Sequence, residues 1–165
     1  MASKTPMVRQ FAWISIIPHL SFMGVLLFIF TLVVKPFHLA LLFAAIAYLI
    51  ISFSLRFILL RNQRKGIKYL KKKNYQSAIE EFQKSYDFFT KHAWLDKYRY
   101  LALFDSSRIS YTEIALNNIA FCHMQTGEAT LSKQYYEKIL EQFPDSEMAK
   151  TALHMFNTIE NQLRK

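Results

Sequence analysis

Cys122 and His123 stand side by side, and a thiol next to an imidazole is the pairing in this chain closest to a nucleophile with its base. Neighbouring residues on a helix point about 100° apart, so these two cannot easily meet one reacting centre. They read better as a small buried thiol beside a core imidazole. His38, His92 and His154 have no metal-ligand spacing, and the chain contains no C-x-x-C, H-E-x-x-H or G-x-S-x-G. Its 3 glycines, Gly24, Gly66 and Gly127, are too few and too scattered to build a phosphate cradle or a dinucleotide fingerprint. Glu80, Glu81, Glu137 and Glu141 fall at spacings typical of a solvated helix face. The expectation is a protein that is not an enzyme, with no catalytic residue, metal or cofactor. A lone cysteine excludes an intramolecular disulfide and suits a reducing compartment.

Binding chemistry remains, and the charges give its first indication. The formal net charge is +9, but residues 1–79 hold 11 of the 21 Lys and Arg and none of the 12 acids. The rest of the chain is close to neutral, so a nucleic-acid partner is not expected. The positive charge gathers in Arg61, Arg64, Lys65, Lys68, Lys71, Lys72 and Lys73. Near an anionic leaflet each such group contributes about 1 kcal/mol, which makes these seven the expected lipid-headgroup contacts.

A membrane is expected because two apolar runs precede that cluster. After a tail of residues 1–10, residues 11–34 and 37–60 are each about 36 Å long as helices, enough to cross a hydrocarbon core of about 30 Å. Lys35 and Pro36 separate them, giving a transmembrane helical hairpin. Lys4 and Arg9 precede it and the basic cluster follows, so both termini are expected to be cytoplasmic. The expected location is a cell (inner) membrane. If the first span begins near Leu20, then Pro18 and His19 sit at the headgroup boundary beside Trp13, while Arg56 reaches the surface along its stem.

Residues 113–144 follow a different rule. Leu116, Ile119, Ala120 and His123 recur at i, i+3, i+4 and i+7, one stripe of a helix that Ser110 can cap and that starts near Tyr111. Gly127 can take positive φ and end it. A second stripe runs through Ser132, Tyr136 and Ile139, with Leu131 and Leu140 beside it, and Pro144 stops the helix. Neither helix can bury its stripe alone, so the pair needs stacked neighbours.

Those residues resemble a tetratricopeptide repeat (TPR). Glu113, Leu116, Ile119, Ala120, Gly127, Tyr136, Ile139 and Pro144 match that family's large, small, turn and terminating positions. His123, Ala129 and Ser132 depart from the usual tyrosine, aromatic and alanine. A frame shifted back by 54 residues puts Gly66, Tyr69, Ala78 and Phe82 at the corresponding positions, with Asn74 as cap and Tyr75 at the aromatic turn position. The first helix of this copy begins around Arg61, and no glycine or proline divides it from the apolar run. One continuous helix is expected there, with a break at 61–64 as the alternative.

The expected fold is all-α: a transmembrane hairpin, then a short TPR-like α-solenoid with repeats at 61–90 and 111–144. An aromatic insert at 91–110 separates the repeats, helical around 94–104 and packed over them, and a capping helix at 146–163 ends the array. In the family, the first helices of successive repeats line a groove through a stripe next to the core stripe. The resemblance places that stripe at Gln63, Arg64, Ile67 and Lys71, and at Ile114, Asn117, Asn118, Phe121, Met124 and Gln125. Mixed apolar and amide groups suit a peptide or protein partner. Of the family's carboxylate clamp only Asn117, with Asn118 beside it, is matched. The competing expectation is that the insert covers Ile114, Phe121 and Met124. The functional expectation is a membrane-anchored adaptor or scaffold, with self-association left open; the alternative is an auxiliary subunit of a transporter or channel, assembled through the hairpin.

Overall fold

The computed structural model describes residues 16–99, 107 and 109–163. The expectations for tail 1–10, for Trp13 and the start of the first apolar run, for insert residues 100–106 and for the basic end Arg164 and Lys165 lie outside these. Among the described residues the protein is all-helical, with no β-strand. The helices are α1 (Ile16–Val33), α2 (Phe37–Leu59), α3 (Arg61–Lys71), α4 (Tyr75–Lys91), α5 (Ala93–Lys97), α6 (Tyr111–Gln125), α7 (Ala129–Gln142) and α8 (Glu147–Leu163).

The chain divides into two compact units. The first holds α1 and α2 together with the segment Lys97–Ile109. Helices α1 and α2 pack on one another across the reversal at Lys35 and Pro36, whose peptide bond is cis. On α2 the buried residues Ala40, Ala44 and Ser52 recur at multiples of four, a stripe of small side chains that lets helices approach closely. Phe30 stacks on Phe43 with ring centroids 6.2 Å apart. Helix α2 is the one described helix long and apolar enough to cross a membrane; the apolar part of α1 among the described residues, His19–Val33, is shorter.

His19 pairs with a residue of α2. Its Nδ1 lies 2.7 Å from the hydroxyl of Tyr48, the central residue of α2, and the two rings meet edge to face. A polar group among apolar helices is stabilised by an interhelical hydrogen bond, and Tyr48 supplies one. The helical run is also not continuous into the second unit. Leu60, at φ −94° and ψ 18°, separates α2 from α3. No breaker residue marks the place; the interruption falls where a helix apolar on all sides gives way to one with a single buried stripe.

The second unit, Leu60–Asp96 with Ser110–Lys165, stacks helices in chain order: α3 on α4, α4 on α6, α6 on α7 and α7 on α8. Helix α6 is central and buries two faces. Ile119 and Cys122 join Ala78 and Phe82 of α4, with Leu70 of α3 packed against them. Leu116 and Ala120 join Tyr136 and Ile139 of α7 and Ala149 and Phe156 of α8. Each large side chain fully buried here, such as Phe82 or Ile139, contributes on the order of 1.5–3 kcal/mol.

The two helix pairs keep the 54-residue frame to the residue: α3 ends at Lys71 and α4 starts at Tyr75, while α6 ends at Gln125 and α7 starts at Ala129. Both turns have the Schellman bonding pattern. Asn74 N–H donates to the Tyr69 carbonyl and Lys73 N–H to Leu70; Glu128 N–H donates to His123 and Gly127 N–H to Met124. The left-handed position is Gly127 (φ 83°) in one turn and Lys73 (φ 58°) in the other. The caps read at Asn74 and Ser110 form, with Asn74 Oδ1 accepting from Ser77 N–H and Ser110 Oγ from Glu113 N–H, and Ser146 Oγ accepts from Ala149 N–H at the start of α8.

Candidate functional site

Helix α6 positions the site. Its core faces consume Ala115, Leu116, Ile119, Ala120 and Cys122, and what remains outward is one stripe. Phe121 is 42% exposed, Met124 38%, and Gln125 is exposed beside them. Ile114, Asn117 and Asn118 on the same face are half-buried. Exposure increases toward the C-terminal end of the helix; the covering expected of the insert falls mostly on residues 100–106 and 108, outside the described residues. Apolar groups ringed by amides, on a helix whose other faces are fixed by packing, make a preformed surface with little ordering cost on binding.

Of the four α3 residues expected to line the groove, three are exposed and one is buried. Arg64, Ile67 and Lys71 are exposed on one face, together with Lys68. Gln63 is buried, at 6% exposure, and belongs to no binding surface. It lies three residues before Gly66 and seven before Leu70, which puts it on the stripe that packs into the core rather than on the stripe beside it. Neither atom of its amide has a hydrogen-bond partner among the described residues.

The basic cluster is outward throughout: Arg61, Arg64, Lys65, Lys68, Lys71, Lys72 and Lys73 are all exposed. Lys65, Lys68, Lys71, Lys72 and Lys73 hold no ion pair among the described residues. Lys73 takes its left-handed backbone at a cost of about 1 kcal/mol relative to glycine, so a cation stands at that turn in spite of the backbone.

The thiol–imidazole pair separates as helix geometry requires. Cys122 faces the α4 core, and burial pushes its thiol up to about 11, far from a nucleophilic thiolate. His123 stacks on Tyr135 and its Nδ1 meets Glu128 at 2.6 Å. That hydrogen bond, with a second from Thr126, holds the Glu128 carboxyl below its ordinary value of 4.5. The group ties the α6–α7 turn together. No cluster of three or more potential metal ligands occurs among the described residues.

Asp96 is the residue that sequence reasoning missed. It is buried at the start of α6, where its carboxylate accepts from Tyr111 N–H (2.8 Å), Thr112 N–H (3.0 Å) and the Thr112 hydroxyl (2.7 Å). With Ser110 it accepts from the orphan donors of the first turn of α6, and negative charge at a helix N-terminus is favourable. The insert is thereby fastened to the helix that carries the site. Only an acid inside an otherwise aromatic segment signalled this, and capping partners 15 and 16 residues away leave no periodicity to read. Of the helix expected over 94–104, residues 100–104 lie outside the described residues; before them the chain forms α5, a turn at Tyr98 and a helical Arg99, and Leu95 is buried while Trp94 is not.

No known protein family, curated protein or solved structure matches this chain.

Proposed function

We propose that the protein is a membrane-anchored adaptor that works by binding rather than catalysis. In this reading α1 and α2 form a transmembrane hairpin, and α3, α4, α6 and α7 form two TPR-like repeats on the cytoplasmic face, closed by α8. The observation that carries it is the outward stripe of α6, where Phe121, Met124 and Gln125 are exposed and Asn117 and Asn118 half-buried on a helix whose other faces are packed. Arg64, Ile67 and Lys71 of α3 extend the surface and give it a preference for an acidic partner segment.

The energetics of α2 support the anchor. Leu42, Ile50, Phe53, Phe57 and Ile58 are each more than half exposed. In water five such side chains would forfeit on the order of 10 kcal/mol, comparable to the whole stability of a domain. In a bilayer the same surface is at no disadvantage. The basic residues that follow Leu60 then lie close to the headgroups and favour an anionic leaflet.

A photo-crosslinking residue at position 121 in the full chain, expressed in its native membranes, tests the adaptor. One protein should be trapped reproducibly, the same residue at exposed Leu131 on α7 should not trap it, and Asn117→Ala should reduce the yield. Equal labelling from positions 121 and 131 would reject the α6 surface. Grafting the hairpin onto an unrelated soluble domain addresses the subunit alternative, which requires the trapped partner to follow the hairpin.

A further inference from the structure

Helix α8 ends the array, and one of its outward stripes is apolar. Met148 is 37% exposed, Met155 55% and Ile159 49%, and the three recur at i, i+7 and i+11. The register of α8 against the core fixes the side on which this stripe lies. Ala149 and Phe156, which pack on the helices before α8, stand 34 residues after Ala115 and Cys122, which are buried on α6. Both helices therefore turn the same frame positions toward the pair that precedes them. Met148, Met155 and Ile159 stand 34 residues after Ile114, Phe121 and Gln125, so they face the same side as the outward stripe of α6.

A missing further helix does not explain the exposure. In the same frame Lys150, His154 and Asn157 correspond to Leu116, Ala120 and His123, the residues by which α6 meets α7. All three are exposed and polar, so the face on which a further helix would pack is solvated and the array stops there. The apolar stripe lies on another side of α8. Ile67, Phe121 and Met155 thus give α3, α6 and α8 one exposed apolar side chain each at a common frame position. Charge along this ladder is one-sided. On α3 it is bordered by Arg64 and Lys71, both exposed, and Lys71 is in no ion pair among the described residues. The stripes on α6 and α8 are uncharged, and none of the three contains an acid.

The stripe of α8 also carries no amide. An extended chain laid over it would bury backbone N–H and C=O groups without partners, whereas a helix bonds its own. Rungs about 10 Å apart, the usual spacing of packed helices, match the i, i+7 repeat of a helix, about 10.5 Å. Methionine adapts its shape to such a face.

We propose that α8 is the third lining helix of the partner surface and that the occupant is an amphipathic helix of another protein, its apolar face across Phe121 and Met155 and its acidic end over α3. This rests on the reading of the α6 stripe as the partner surface, and names what binds there.

Benzoylphenylalanine is placed at position 121, 155 or, as a control, 150 in the full chain in its native membranes. Positions 121 and 155 should trap the same protein, and position 150 should not. Mass mapping of the two adducts should place their attachment points in one segment, about four or seven residues apart on one helical face. The same group at position 67 should attach in that segment beside Asp or Glu. Met155→Glu, at an exposed position, and Lys71→Glu should each lower the yield from position 121 several-fold with the unfolding midpoint unchanged. If position 121 traps a protein that position 155 does not, or if Met155→Glu leaves the yield intact, α8 lies outside the surface and the α6 reading stands. Attachment points two residues apart would mark an extended strand, and lipid adducts alone at position 155 a membrane; either overturns the proposal. If neither 121 nor 155 traps a protein, the proposal and the α6 reading both fall.

Discussion

Ser132 is fully buried on the face of α7 that carries Tyr136 and Ile139, and its hydroxyl has no partner among the described residues. An unpaired buried hydroxyl costs on the order of 1 kcal/mol or more, and alanine fits the same space. Ser132→Ala should therefore raise stability by about 1 kcal/mol, read as a higher denaturant midpoint with an unchanged slope. Glu128 gives a test with pH. Its carboxyl is held below 4.5 by His123 and Thr126, so its stabilising contribution is present above that value and is lost as pH falls through the lowered folded value. Glu128→Gln should lower the melting temperature near neutral pH, and the gap to the wild type should narrow as pH falls below 4.5 and through the lowered folded value. A gap that persists at low pH would assign the effect to packing instead.

Among elements, the α3–α4 junction depends on one absent atom. A Cβ on Gly66 would stand 2.5 Å from Cε1 of Phe82, a ring wholly enclosed by the core. Gly66→Ala gains about 1 kcal/mol of helix propensity but overpacks at a cost of about 1–3 kcal/mol. The net expectation is destabilisation, with part of it recovered in the pair Gly66→Ala and Phe82→Leu when both are melted side by side. The insert and α6 are coupled through Asp96. Asp96→Ala leaves two backbone donors and a hydroxyl without their acceptor and should cost roughly 2 kcal/mol. Asp96→Asn, which keeps one acceptor oxygen, should recover part of that by chemical denaturation.

At the scale of the molecule, the two compact units should respond separately to substitution. Tyr48→Phe removes the hydrogen bond with His19 in the first unit. A hydrogen bond of this kind between membrane helices contributes about 0.6 kcal/mol, up to about 2. In detergent the variant should loosen the α1–α2 pair, seen as faster proteolysis or lower thermal stability there, while the unfolding midpoint of the repeat unit stays unchanged. A coupled shift of both transitions would show that the units fold as one.

How much was legible in the sequence follows from how local each signal is. Helix ends at Asn74, Ser110 and Gly127 were readable because capping and left-handed turns act within four residues. The core stripe of α6 and the 54-residue frame were readable because periodicity repeats over neighbouring turns. The outward stripe with Phe121 and Met124 then followed by subtraction. Other features were set by groups distant in the chain. Gln63 is one residue from an exposed stripe, and only its packing beside Gly66 turned it inward; His19 found Tyr48 across the hairpin; Asp96 found α6 across the insert. Composition and short-range periodicity determined that this protein is helical, carries an apolar helix of membrane length and has a repeated helix pair, because those properties reside in a few successive turns. Which stripes became surface, and which polar groups became fasteners, only the tertiary structure decided, because burial and hydrogen bonding between distant residues are settled by the neighbours that packing brings.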